Sequence, residues 1–176
     1  RMADMGFMPA VRRLLDQTAS ERQTMLFSAT LDGDVAKLTK DYQHDPVRHE
    51  VSEATPDITK ASHVFWNVAK GDRPGVTAEA VSAVWPAIVF CRTKHGADRL
   101  AKQLTTLGVE SVAIHGGRSQ NQRTRALADF SKGKAVALVA SDVAARGIHV
   151  DGVASVIHFD PPDDHKTYVH RSGRTA

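Results

Sequence analysis

An α/β fold, a parallel sheet with helices on both faces, is what this chain of 176 residues predicts. Three observations carry that expectation. Short apolar runs of strand length alternate with stretches whose apolar residues recur at i, i+3, i+4 and i+7, one face of a helix. The run 135–140 (AVALVA) shows no polar alternation, as a strand covered on both faces should not. Hydrophobic residues make up 41% and charged residues 24%, globular values that leave no room for a disordered or coiled-coil chain. Strands alternating with helices connect by right-handed crossovers in a parallel sheet.

Taken in order, Pro9 suits the first turn of a helix on which Val11, Leu14, Leu15 and Thr18 share a face. Residues 24–27 (TMLF) have the length of a strand. Asp32 is placed to cap a second helix, with Val35, Leu38, Thr39 and Tyr42 in its stripe. Pro46 stops that helix, because its ring disfavours helical backbone at Asp45. Residues 47–51 read as a further strand. The polar stretch 52–60 (SEATPDITK) has linker composition. Val64, Trp66 and Val68 alternate as in a strand, 71–75 (GDRPG) reads as a turn, and 77–84 as a modest helix. From residue 87 the pattern becomes regular: strand 87–91, a helical stripe from Ala97 to Leu107 closed by Gly108, and strand 109–114. A helix opened by Ser119 and Gln122 at capping-box spacing follows, then strands 135–140 and 153–159. Asp164 caps a last helix over 165–171.

Several function classes fall away on composition. No apolar run approaches the ~18 residues of a membrane span. One cysteine, Cys91, excludes an internal disulfide and a multi-cysteine zinc site; with no signal peptide in view, a cytoplasmic location is expected. Beginning at Arg1, the chain reads as a fragment of something longer. The formal charge of +3 is too small to imply nucleic acid, but it is unevenly spread. Residues 92–125 hold Arg92, Lys94, Arg99, Lys102, Arg118, Arg123 and Arg125 against Asp98 and Glu110, a net of +5.

In open α/β sheets function collects at the carboxyl ends of the strands. The four loops there carry Arg92, Gly116, Gly117, Ser141 and Arg146 along one edge. Backbone amides at Gly116, Gly117 and the helix start after Ser119 suit an anion, either a phosphate backbone or a small phosphorylated ligand. No G-x-x-x-x-G-K-[ST] phosphate loop occurs in the chain. His158, Asp160, Asp163, Asp164 and His165 are metal-ligand types, but they match no metal spacing and read as a capped, solvated turn. Cys91 on its apolar strand reads as an inert core thiol. Ser28 and Thr30 lack a base partner, and Arg171 and Arg174 at a helix end are accounted for by the macrodipole.

Together, six segments resemble the DEAD-box ATP-dependent RNA helicases: 1–7 (RMADMGF), 28–30 (SAT), 88–94 (IVFCRTK), 115–123 (HGGRSQNQR), 140–147 (ASDVAARG) and 170–175 (HRSGRT). They occur in family order and at family spacing over nearly the whole chain. The wording of 148–166 resembles bacterial members. The resemblance implies a RecA-like sheet, with 1–51 as the end of a first RecA-like domain, 52–61 as linker and 62–176 as most of the second. It implies that Arg174 is an arginine finger on the γ-phosphate of ATP, with His170 and Arg146 at the same interface. His149 stands where the family usually has an acidic residue on the ATP ribose. It also implies that Arg92, Gly116, Gly117, Gln120, Arg123 and Ser141 face the RNA backbone without reading bases. Ser28 and Thr30 would couple hydrolysis to strand separation.

The resemblance also implies ATP and Mg²⁺ as cofactors of a parent protein, with their main binding elements expected upstream of this chain. The isolated chain is expected to be inactive, with the missing first RecA-like domain as its partner, and residues 1–50 are expected either to be mobile and partly unfolded or to pack against the second domain or a second copy of the chain. The competing readings are a non-catalytic RecA-like module that binds RNA or protein, and a related helicase acting on DNA.

Overall fold

A computed structural model describes residues 8–27, 33–49, 58, 61–145 and 150–175. The chain forms two compact units, Arg1–Glu53 and Ala54–Ala176.

In the first unit α1 (Met8–Asp16) and α2 (Gly33–Tyr42) are tied by polar contacts. Arg12 pairs with Asp41 at 2.7 Å, and the Tyr42 hydroxyl donates to Asp16 Oδ1 at 2.7 Å. Leu38 is the one core-grade apolar side chain among its described residues. The strand expected at 24–27 does not form: 22–27 have no regular structure, and Phe27 is 90% exposed. A strand needs a neighbour for its N–H and C=O groups, and the described residues of this unit offer none. Residues 47–49 are likewise irregular, the rest of that expected strand lying outside the described residues, as does the cap expected at Asp32.

The second unit holds a four-stranded parallel sheet in the order β2-β3-β1-β4. The strands are β1 (Ala87–Cys91), β2 (Ser111–Ile114), β3 (Ala137–Ser141) and β4 (Ser155–His158). β1 is central, paired with β3 from Ala87↔Ala137 to Cys91↔Ser141 and with β4 from Ala87↔Ser155 to Phe90↔His158. The helices are α3 (Arg73–Ala83), α4 (Lys94–Thr106), α5 (Gln120–Ser131), α6 (Asp142–Ala145) and α7 (His165–Ser172).

Strand alternation divides the core in two. Ala87, Val89 and Cys91 face one layer with Val81 of α3 and Leu100 and Leu104 of α4. Ile88 and Phe90 face the other, with Phe130 of α5 and Ala144 and Ala145 of α6. That is the layering expected of an apolar strand without polar alternation. Each fully buried Leu or Phe contributes about 1.5–3 kcal/mol relative to exposure.

Two further expectations are corrected. Residues 71–75 are not a plain turn: α3 begins at Arg73, because Pro74 fits a first helical turn that lacks an internal acceptor for its N–H. The alternation at Val64, Trp66 and Val68 does not make a strand. Residues 62–69 are irregular, with Val64 and Trp66 exposed. Instead His63 fixes the segment, its Nε2 2.9 Å from the Ile58 carbonyl and its Nδ1 2.5 Å from the Tyr168 hydroxyl. Among the described residues no helix is long and apolar enough to cross a membrane.

Candidate functional site

Because all four strands run parallel, their carboxyl ends share one edge, and helices start there under side-chain caps. Thr93 Oγ1 accepts from the Gly96 amide at 2.9 Å. A Cβ at position 96 would lie 2.9 Å from that oxygen, so glycine makes the cap possible. Ser119 and Gln122 form the expected reciprocal capping box on α5. Asp164 Oδ1 accepts from the Thr167 amide at 2.6 Å and opens α7.

At the β2 end of this edge stand Gly116 and Gly117, both exposed, with Gln120 and Arg123 on the first turn of α5. The Gly117 amide donates to His115 Nδ1 at 3.1 Å, and a Cβ at 117 would crowd that ring at 3.2 Å. His115 itself is buried, its Nε2 standing 2.9 Å from Asp98 Oδ1, though too far off line for a hydrogen bond. Arg118 reaches the same oxygen at 2.6 Å. Burial pushes the Asp98 carboxyl up, but His115 and Arg118 outweigh it and hold Asp98 below the usual range. Arg123 makes a long contact, 3.4 Å, to Gln120 Oε1, and its buried Nε has no acceptor among the described residues. Ser141, buried, ends β3. Arg92 follows β1 with its side chain largely exposed, 3.4 Å from Asp163.

Toward β4, three strand steps and about 14 Å from β2, lies a small cleft lined by Phe90, Asp142, Ala145, Thr167, His170, Arg171 and Arg174. His170 is exposed; Arg174 is half-buried, and desolvation lowers the pKa of its guanidinium. The structure therefore brings His170 and Arg174 together and keeps them apart from Gly116, Gly117, Gln120 and Arg123. Ser141 and Arg92 end the strands between. Ser28, Thr30, Arg146 and His149 lie outside the described residues.

Sequence reasoning missed the centre of this edge. Arg171, assigned there to the helix macrodipole, is 3% exposed. Its Nε and Nη2 bind Asp142 Oδ1 and Oδ2 at 2.6 and 2.7 Å, and its Nη1 donates to the Asp160 carbonyl at 2.7 Å. Its guanidinium carbon also sits 5.1 Å from the Phe90 ring centroid. Asp160, read as part of a solvated turn, accepts from the Arg92 amide through Oδ2 at 2.9 Å and donates its own amide to the Phe90 carbonyl. The one available signal was an aspartate directly beyond β3 and another just past β4. Behind them His158 stacks on Tyr168 at 4.9 Å; burial first, then the Arg171 charge, pull its pKa down to about 4. Cys91 is fully buried, its thiol pushed up to about 12 chiefly by desolvation and then by Asp160, as an inert core thiol should be.

A nucleotide's phosphates suit the donors of the cleft, the Arg174 guanidinium and the His170 imidazole. Among the described residues no three His, Cys, Asp or Glu side chains converge.

Residues 78–176 match the family described as the helicase conserved C-terminal domain. The ATP-dependent RNA helicase DBP2 of Meyerozyma guilliermondii is 40% identical over 182 residues, which cover 100% of this chain and 33% of that protein. DbpA of Bacillus subtilis is 37% identical over 177 residues, covering 99% of this chain and 37% of its own. Yeasts and a bacterium thus both supply relatives. The chain spans about a third of the length of these curated relatives. Saccharomyces cerevisiae Dbp5 bound to RNA and ADP BeF3 aligns with a TM-score of 0.70 at 27% identity, over 97% of this chain and 46% of that one. A hypothetical ATP-dependent RNA helicase from Sulfolobus tokodaii aligns at 0.60 and 32%, over 99% of this chain and 50% of its own. The parallel sheet with helices on both faces is accordingly RecA-like.

Proposed function

The chain belongs to the helicase conserved C-terminal domain family, in the form carried by DEAD-box ATP-dependent RNA helicases, and from that premise we propose that its parent protein separates RNA strands at the expense of ATP. In this reading residues 62–176 are most of a second RecA-like domain, 52–61 a linker and 1–51 the end of a first domain. Arg174 holds the charge that develops at the γ-phosphate, His170 and Arg146 help close the interface, and His149 faces the ribose. A neutral imidazole at 149 still offers one hydrogen bond, without the charge of a carboxylate.

RNA backbone lies along the other end of the sheet edge, against Gly116, Gly117, Gln120, Arg123, Ser141 and Arg92. Contacts of that kind do not read sequence. Ser28 and Thr30 couple the two events. Mg²⁺ is held by the first domain, so this chain alone is inactive. Residues 1–50 pack on the rest of that domain or on a second copy. A bacterial source and a cytoplasmic location belong to the same reading.

The observation that carries it is the separation along one edge. A half-buried guanidinium sits in a cleft at one end, and Arg123, with an acceptor-less buried Nε, stands with two exposed glycines at the other. ATPase assays on the parent protein test it. Arg174→Ala lowers the RNA-stimulated rate by about 10³–10⁵-fold, as loss of an arginine finger does, and leaves RNA affinity intact. Arg174→Lys fails as well, since a point charge lacks the planar fork. Near-normal turnover in either variant overturns the role given to Arg174.

A further inference from the structure

We propose that Arg171 is a positioning residue: its three-way contact with Asp142, the Asp160 carbonyl and Phe90 clamps α7 to the ends of β1, β3 and β4, and so holds the Arg174 guanidinium in its cleft. The part played by Arg174 rests on the function proposed above; the clamp itself does not.

Each of the three guanidinium nitrogens of Arg171 donates to a protein acceptor at 2.6–2.7 Å, which ties the group into the fold on every side. The residue acts through others. The macrodipole does not explain it, because a cation serves that purpose at the surface, whereas Arg171 is buried. Nor is net stability a sufficient reason. A desolvated ion pair of this kind is often matched by an apolar residue of similar volume. What only the planar fork supplies is direction. The bidentate contact sets the guanidinium plane against Asp142, the first residue of α6. The contact with the Phe90 face and the bond to the Asp160 carbonyl fix its other two sides.

Arg174 follows by three residues, its amide donating to the Arg171 carbonyl at 3.2 Å. A tilt of α7 therefore moves Arg174 directly. Asp142 also adjoins Ser141, so the clamp joins the strand end assigned to RNA with the helix whose C-terminal turn leads into Arg174.

Two measurements test this. Amide exchange on the 176-residue chain compares wild type with Arg171→Lys, Asp142→Asn and the double variant. The expected result is exchange at 167–174 faster by about tenfold or more in each single variant, as loss of a charge-assisted hydrogen bond allows. Exchange in β1 and β3 stays at the wild-type rate, and the double variant is no worse than the poorer single one. Unchanged exchange in α7, or a uniform rise that includes β1 and β3, overturns the clamp.

In the parent protein Arg171→Lys lowers kcat by about 10²-fold, the cost of a misplaced group, with KM for ATP unchanged. Wild-type kcat despite a loosened α7 overturns the positioning of Arg174. A wild-type parent without ATPase activity refutes the proposed function instead, and the exchange comparison still decides the clamp.

Discussion

Two apolar segments of the same chain meet opposite fates. Residues 24–27 and 87–91 have similar length and similar hydrophobic content, and on pattern both are strands. The second is central in a sheet, with every residue 4% exposed or less. The first has no regular structure and leaves Met25 69% and Phe27 90% exposed. The difference is not in the segments. Residues 87–91 have β3 and β4 to receive their hydrogen bonds and two helical layers to cover their faces; among the described residues, 24–27 have neither. Backbone pairing and face coverage are properties of neighbours, so an apolar run predicts a strand only together with the strands beside it.

The sharpest way to break this comparison is to truncate one aromatic in each segment. Phe90→Ala removes a buried ring that also bears on Arg171 and should cost about 3–5 kcal/mol. Phe27→Ala should stay within about 0.5 kcal/mol, as exposed substitutions do. Denaturant unfolding of both variants measures the contrast, and equal losses would show that 24–27 is packed after all.

A smaller effect follows from His158, whose folded pKa, about 4, lies below its ordinary value of 6.5. Between those values the unfolded chain binds more protons than the folded one. Stability of the 54–176 unit therefore falls as pH drops from about 6.5 toward 4, and is fully present above that window. His158→Gln flattens this dependence. Thermal midpoints at pH 7 and pH 4.5 read it, and a wild-type midpoint that does not fall toward pH 4.5 contradicts the burial argument.

The smallest change expected is at a helix start. Ser119→Ala removes the Oγ that accepts from the Gln122 amide and should cost about 1 kcal/mol. An equal loss from the exposed Ser20→Ala in the first unit would remove the distinction between a working cap and a surface hydroxyl.

Much of the second unit was legible from residue types and spacing. Local chemistry dictates the caps at Ser119 and Asp164, because a hydroxyl or carboxylate before a helical stripe has only the first amides of that helix to meet. AVALVA could be read as doubly covered because each of its faces is apolar. The order of the strand-end loops was enough to group Arg92, Gly116, Gly117 and Ser141 on one edge, whereas Gln120, Arg123, His170 and Arg174 stood out only through the family resemblance.

What only the tertiary structure decided is which of those groups share a pocket and which apolar runs become strands. Arg171 and Arg174 look alike three residues apart, yet Arg171 is buried with each guanidinium nitrogen bonded to Asp142 or the Asp160 carbonyl, while Arg174 is only half-buried. Asp142 lies 29 positions from its partner and Phe90 81, and no local pattern links residues so distant. Spacing along the chain determines what a segment does to itself. Burial and pairing depend on what the fold brings opposite it, and that is why the arginine at the centre of the edge could be seen only once the sheet had closed around it.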